Sequence, residues 1–247
     1  MDYLQKIIIA FELHSPGEMA ECFDHGIDPN QIHEGKPLIY HLINMYSRGP
    51  VFRECVRVFV DRGLEFEDRA LLSVLLDDAK PLQGQLNADK NILARKYTFD
   101  CTFTPLLDAS LLHICAEYNH LSCAEVLVKN GMDVNVEAGY DEYGFGGQTP
   151  IFHTVNQNAN KSIGVLKYLL AQKADLTLTV KGLIWGKGYP WETFIPSVNP
   201  VSYAMMGLLR QFQRTEPDIY EVVSLLIKSK YGIEYRPSNV PNLYLNS

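Results

Sequence analysis

The chain has 247 residues, 47% of them hydrophobic, with a net charge of −7 from 22 lysines and arginines against 29 acidic residues. That balance, with no run of basic residues longer than two, supplies no cationic stripe for phosphates and argues against nucleic-acid binding. No uncharged apolar run approaches the roughly 18 residues of a membrane helix, and five cysteines without a Cys-x-x-Cys pair read as reduced thiols rather than a disulfide framework.

In chain order, Tyr3 to Glu12 and Gly17 to His25 read as a first helix pair, closed by Gly26-Ile27-Asp28-Pro29-Asn30. Lys36-Pro37-Leu38 opens a second unit. There Phe52, Cys55, Val56, Phe59 and Val60 recur at helical spacing and run into Gly63-Leu64-Glu65. Between Asp68 and Thr104 both the proline start and the glycine exit are missing. Ala70 to Leu76 reads as a first helix there and Asn87 to Arg95 as a displaced second helix, together one eroded unit. Ser110-Leu111-Leu112-His113-Ile114-Cys115-Ala116 then opens a well-marked unit that ends at Gly131-Met132-Asp133-Val134-Asn135.

Thr149-Pro150-Ile151 and Asn199-Pro200-Val201 are the later helix starts. Thr149 and Asn199 can accept from the free amides of a first turn, and the following proline has no amide to leave unpaired. Gly26, Gly63, Gly131 and Gly232 follow apolar helical segments, where a left-handed residue closes the last turn; Lys173-Ala174-Asp175-Leu176 occupies the corresponding place in one unit. Pro217 to Lys230, with Ile219, Val222, Val223 and Leu226 in one stripe, closes the stack, and Arg236 to Ser247 reads as an extended tail.

A start of the form small-polar, Pro, apolar, answered some 20 to 30 residues later by Gly-x-acid, marks a stack of helix pairs whose continuous surface is a groove. These residues resemble the ankyrin repeat family, whose units span about 33 residues and begin Thr-Pro-Leu-His-x-Ala. The match is strongest from Ser110 to Asn135 and loose elsewhere between residues 2 and 235. The resemblance implies an all-α solenoid of about six helix pairs over residues 1–235; the alternation near 178–198 adds a short inserted β-hairpin, and the aperiodic, proline-containing residues 236–247 read as an extended tail. The resemblance also implies a non-enzymatic protein-protein interaction module that meets a protein partner through its concave groove and through the fingers that link one unit to the next. His113, at the signature histidine, is expected to bond backbone near the turn.

Two successive fingers are enlarged, Val136 to Gln148 and Leu178 to Val198. Their Tyr140, Asp141, Glu142, Tyr143, Phe145, Trp185, Lys187, Tyr189, Trp191 and Phe194 form the candidate partner-binding set, because aromatic side chains supply most interface energy per residue. Asp141 and Glu142 favour basic partners. The alternation in Leu178-x-Val180 and Leu183-x-Trp185 points to a strand pair, so Trp185 and Trp191 have a competing reading as cover for an edge of the stack.

Other readings are weaker. His113, Cys115, His120 and Cys123 match no zinc-finger spacing, so no metal is assigned. In Gly182 to Gly188, three residues separate Gly182 from Gly186 where a phosphate loop needs four, and Gly188 stands where the magnesium-binding hydroxyl should be. Gly144-Phe145-Gly146-Gly147 lacks a surrounding βαβ unit, and no cofactor is expected. No nucleophile elbow or paired metal-ligand motif points to an enzyme. Two alternatives stay open: a dedicated inhibitor or immunity-type protein covering one enzyme's active site, and a small-ligand sensor walled by the aromatic insertions. The acidic start at Asp2 does not look like a signal peptide, so a soluble cytoplasmic monomer is expected.

Overall fold

The computed structural model describes residues 2–100, 103–190, 192–206 and 214–235. The tail 236–247 and Trp191 therefore lie outside the described residues. Helices follow one another two by two: α1 (Tyr3–Glu12) and α2 (Pro16–Asp24), α3 (Leu38–Ile43) and α4 (Phe52–Asp61), α5 (Arg69–Leu75) and α6 (Ala79–Ala88). They continue as α7 (Leu111–Tyr118) and α8 (Leu121–Lys129), α9 (Phe152–Val155) and α10 (Ile163–Ala171), α11 (Pro200–Ala204) and α12 (Glu216–Tyr231). Their apolar faces merge into one buried cluster that runs from Ile7 to Leu226.

The all-α expectation is overturned. The described residues are 49% helical and 11% strand, a mixed α/β structure with small antiparallel sheets. Strands β1 (Ile32–His33) and β2 (Lys36–Pro37) pair ahead of α3, β3 (Tyr97–Phe99) and β4 (Leu106–Ala109) ahead of α7, and β5 (Val180–Trp185) and β6 (Thr193–Val198) ahead of α11. The physical reason is that a link which doubles back on itself must satisfy its own backbone groups, and pairing as a hairpin does so. The two-residue turn Glu34-Gly35 shows the device: both residues have positive φ, 48° and 77°, as a tight hairpin turn of matching twist requires.

The glycine exits are as the spacing predicts, with φ of 95° at Gly26, 86° at Gly63, 103° at Gly131 and 70° at Gly232; Lys173 takes the same left-handed place at 62°. Asn199 caps α11, its Oδ1 accepting from the Val201 and Ser202 amides at 3.0 Å each. Thr149 does not cap. Helix α9 begins only at Phe152, whose amide donates to the Thr149 carbonyl at 3.0 Å, and the buried Thr149 hydroxyl has no hydrogen-bond partner among the described residues. The middle unit is also a complete pair. Its second helix is α6, and Asn87 to Arg95 instead holds the end of that helix and a short 3-10 turn over Lys90–Ala94. Pro81 obscured α6 in the sequence, but at the third helical position its missing N–H has no partner to lose, and Leu82 and Leu86 bury the helix.

The Gly-x-acid turns carry the register from unit to unit. Asp28 accepts from the Asn30 amide at 2.9 Å, and Asn30 reaches forward to accept from the Glu65 amide at 2.7 Å. Asp133 and Asn135 repeat this, with Asn135 Oδ1 accepting from the Asp175 amide at 2.7 Å. Each asparagine thus replaces a backbone partner that a turn cannot supply. Asn135→Ala is expected to lower the stability by about 1 kcal/mol, read in urea as a lower midpoint at unchanged slope; an unchanged midpoint would show the bridge to be idle.

Candidate protein-binding surface

The site grows from His113, the third residue of α7. Its Nε2–H donates to the Gln148 carbonyl at 2.9 Å, while Nδ1 accepts from the Ser110 amide at 3.1 Å and lies 2.9 Å from the Ser110 hydroxyl. Those partners select the neutral ring with its proton on Nε2, and burial pushes the imidazole pKa well below its ordinary value. The start of the helix is thereby tied to the base of the first finger.

That finger is stitched on both sides. The Gly139 amide donates to Leu107 of β4 at 2.8 Å, and the Gly146 amide donates to Gly182 of β5 at 3.1 Å. Gly146 is required here: its φ is 125°, and a Cβ would stand 2.2 Å from the Gly139 carbonyl oxygen. At the tip, Asp141 Oδ1 accepts from the Tyr143 and Phe145 amides at 2.9 Å each and shapes the turn.

The two fingers close on each other through rings and charges. Phe145 packs against Phe194 with centroids 4.7 Å apart, and the Phe194 ring fills the space where a Cβ on Gly182 would stand. Lys181 Nζ donates to the Tyr143 carbonyl at 3.0 Å and sits 5.0 Å from the centre of the Phe145 ring. Lys187 Nζ pairs with Glu142 at 2.9 Å and lies 3.8 Å from Asp141. One face results. Tyr140, Tyr143, Tyr189 and Phe194 stand on it 57, 60, 51 and 49% exposed. Beside it opens a cleft of about 590 Å³, walled by residues of both fingers and of the β3–β4 hairpin.

Trp185 is placed elsewhere. It is 2% exposed, and its Nε1–H donates at 2.6 Å to the hydroxyl of Tyr203, which is itself 2.7 Å from the Thr104 hydroxyl. The indole therefore belongs to the packing under the second finger, as the competing reading of that residue has it. Sequence reasoning did not single out Lys181 or Gln148, which lie within the finger segments but are neither aromatic nor acidic, nor Phe99 and Asp100 of the β3–β4 hairpin, which nothing local ties to the fingers.

The helix pair α7 and α8, with the turn that follows it, is the part of the chain that a family model recognises. The ankyrin repeat model matches residues 108–138. The chain carries an ankyrin repeat. No curated protein matches it. The first finger springs from the end of the ankyrin repeat, and the buried His113 is the residue that anchors it there. Ankyrin repeats are protein-interaction modules in general, and no catalytic family is indicated. Among the described residues, no helix is long and apolar enough to cross a membrane, and no group of three or more His, Cys, Asp or Glu could hold a metal ion.

Proposed function

We propose that this protein is a non-enzymatic interaction module whose partner is a protein, met on the joined face of the two fingers and the groove beside them. The observation that carries the reading is that two enlarged links, one of them leaving the ankyrin repeat, are fastened into a single surface that exposes four large aromatic side chains. Rigid aromatic groups on a pre-formed surface lose little freedom on binding and so contribute more of their contact energy. The single apolar cluster from Ile7 to Leu226 supports one continuous unit behind that face. The inhibitor role is a special case of the same reading.

The test is affinity capture with the intact chain and with Tyr143→Ala/Tyr189→Ala in parallel. Both side chains are exposed, so the variant is expected to melt within about 0.5 kcal/mol of the parent. Loss of about tenfold or more in affinity for the captured protein, as for truncation of an interface anchor, is the expected result. Retention at full strength by the folded variant would move the binding face off the fingers.

A further inference from the structure

We propose that the cleft between the fingers receives an arginine or lysine side chain of the protein partner, so that the module selects a basic segment. The proposal rests on the interaction reading above and adds the chemistry of recognition. Asp100, Asp141 and Glu142 stand in the cleft wall, where Lys187 is the one cation among the described residues. Tyr140 and Phe145 add aromatic surface. Gln148 completes the wall at 1% exposure; its Nε2 donates to the Pro105 carbonyl at 2.6 Å, and among the described residues its Oε1 accepts no hydrogen bond. Acceptors in excess, one of them a buried oxygen without a donor, fit a guanidinium or ammonium group, which brings donors and no acceptors.

The chain's own lysines show that the surface holds cations. Lys181 Nζ sits 5.0 Å from the Phe145 ring centre and Lys187 Nζ 5.7 Å from that of Tyr143, the placement in which a ring face attracts positive charge. Lys187 occupies Glu142 as an internal stand-in, and Lys36 approaches Asp100 from outside the cleft wall. Both are exposed pairs and correspondingly weak. An incoming cation that is better buried displaces Lys187 and gains the acceptors of the cleft wall.

The test is nuclear magnetic resonance titration of the full chain with acetyl-Gly-Gly-Arg-Gly-Gly-amide and with its uncharged citrulline counterpart. The arginine peptide is expected to shift the Gly139 and Gly146 amides and the Gln148 side-chain amide, and the citrulline peptide to leave them in place. Glu142→Gln/Asp100→Asn should weaken the arginine peptide about two- to fivefold, and Lys187→Gln should tighten it by a similar factor, the range of exposed charge pairs. Opposite signs from two surface variants with the parent's melting temperature cannot arise from a general loosening of the fold. Equal binding of citrulline, no shift at these amides, or weaker binding by Lys187→Gln would overturn the proposal. If a captured partner is lost by Tyr143→Ala/Tyr189→Ala but kept in full by Glu142→Gln/Asp100→Asn, the finger face stands and the basic-segment inference alone falls.

Discussion

Glu117→Ala is expected to destabilise the protein by about 3–5 kcal/mol, the cost of stranding a buried charge. Glu117 lies in α7, inside the ankyrin repeat, and is 4% exposed. Its carboxylate accepts from Arg48 Nε at 2.8 Å and from His153 Nδ1 at 2.8 Å, so it holds together the loop before α4, the repeat and α9. Arg48 also lies over the Tyr118 ring at 4.7 Å and donates to the Met45 and Ser47 carbonyls, which keeps it in place when its partner is removed.

Burial by itself raises the Glu117 carboxyl, but Arg48 and then His153 outweigh it and hold the pKa below the ordinary 4.5. A carboxylate depressed in the fold contributes stability that is complete above its unfolded value and is lost as pH falls through the folded one. The parent should therefore lose part of its stability below about pH 4.5, and Glu117→Gln should lose less over the same interval. Urea unfolding of Glu117→Ala, Arg48→Met and the double variant checks the assignment. The double variant is expected to be more stable than the sum of the two losses predicts, because neither charge is left alone. Additive losses, or a Glu117→Ala cost under about 1 kcal/mol, would show that the triad is not coupled.

Trp185→Ala is expected to cost about 3–5 kcal/mol, as for truncation of a buried ring. Beyond the cavity, the change removes the donor to Tyr203, a residue with no exposed surface whose hydroxyl also meets Thr104. Trp185→Phe separates the two effects. It keeps most of the ring and drops the N–H, with an expected loss of about 1–3 kcal/mol for the hydrogen bond. Tyr143→Ala, on the exposed face of the same pair of fingers, should stay within about 0.5 kcal/mol of the parent. Thermal and urea unfolding of the three variants read this order directly. A Trp185→Ala protein as stable as the parent would put the indole back among the surface residues of the finger face.

Trp185 also shows where the sequence stopped being informative. Its alternating neighbours Leu183 and Val180 marked a strand, and β5 is there, yet alternation leaves open whether the inward side of a strand meets its own stack or a partner. The neighbouring Tyr143 and Tyr189, equally aromatic, stand exposed. What separates them is Tyr203, 18 residues along the chain from Trp185, which offers an acceptor at the one depth where the indole N–H needs it. The all-α expectation failed for a related reason: helix periodicity and exits are strong signals, whereas two- to four-residue strands such as β1 and β4 are too short to show a period.

By itself the sequence determined the helix exits at Gly26, Gly63, Gly131 and Gly232, the cap at Asn199, the unit from Ser110 to Asn135 and the positions of both enlarged fingers. Those features depend on φ, on missing amides and on spacing within a turn or two of chain, and such short-range physics is written in neighbouring residues. Only the tertiary structure decided which links pair as hairpins, which aromatic rings are buried, and that Arg48 meets Glu117, Asn135 meets Asp175 and Lys187 meets Glu142. Those partners stand 69, 40 and 45 residues apart. A charge or an amide finds its partner across such distances only after the units have stacked, because the stacking of apolar helix faces, not any local pattern, brings the links side by side.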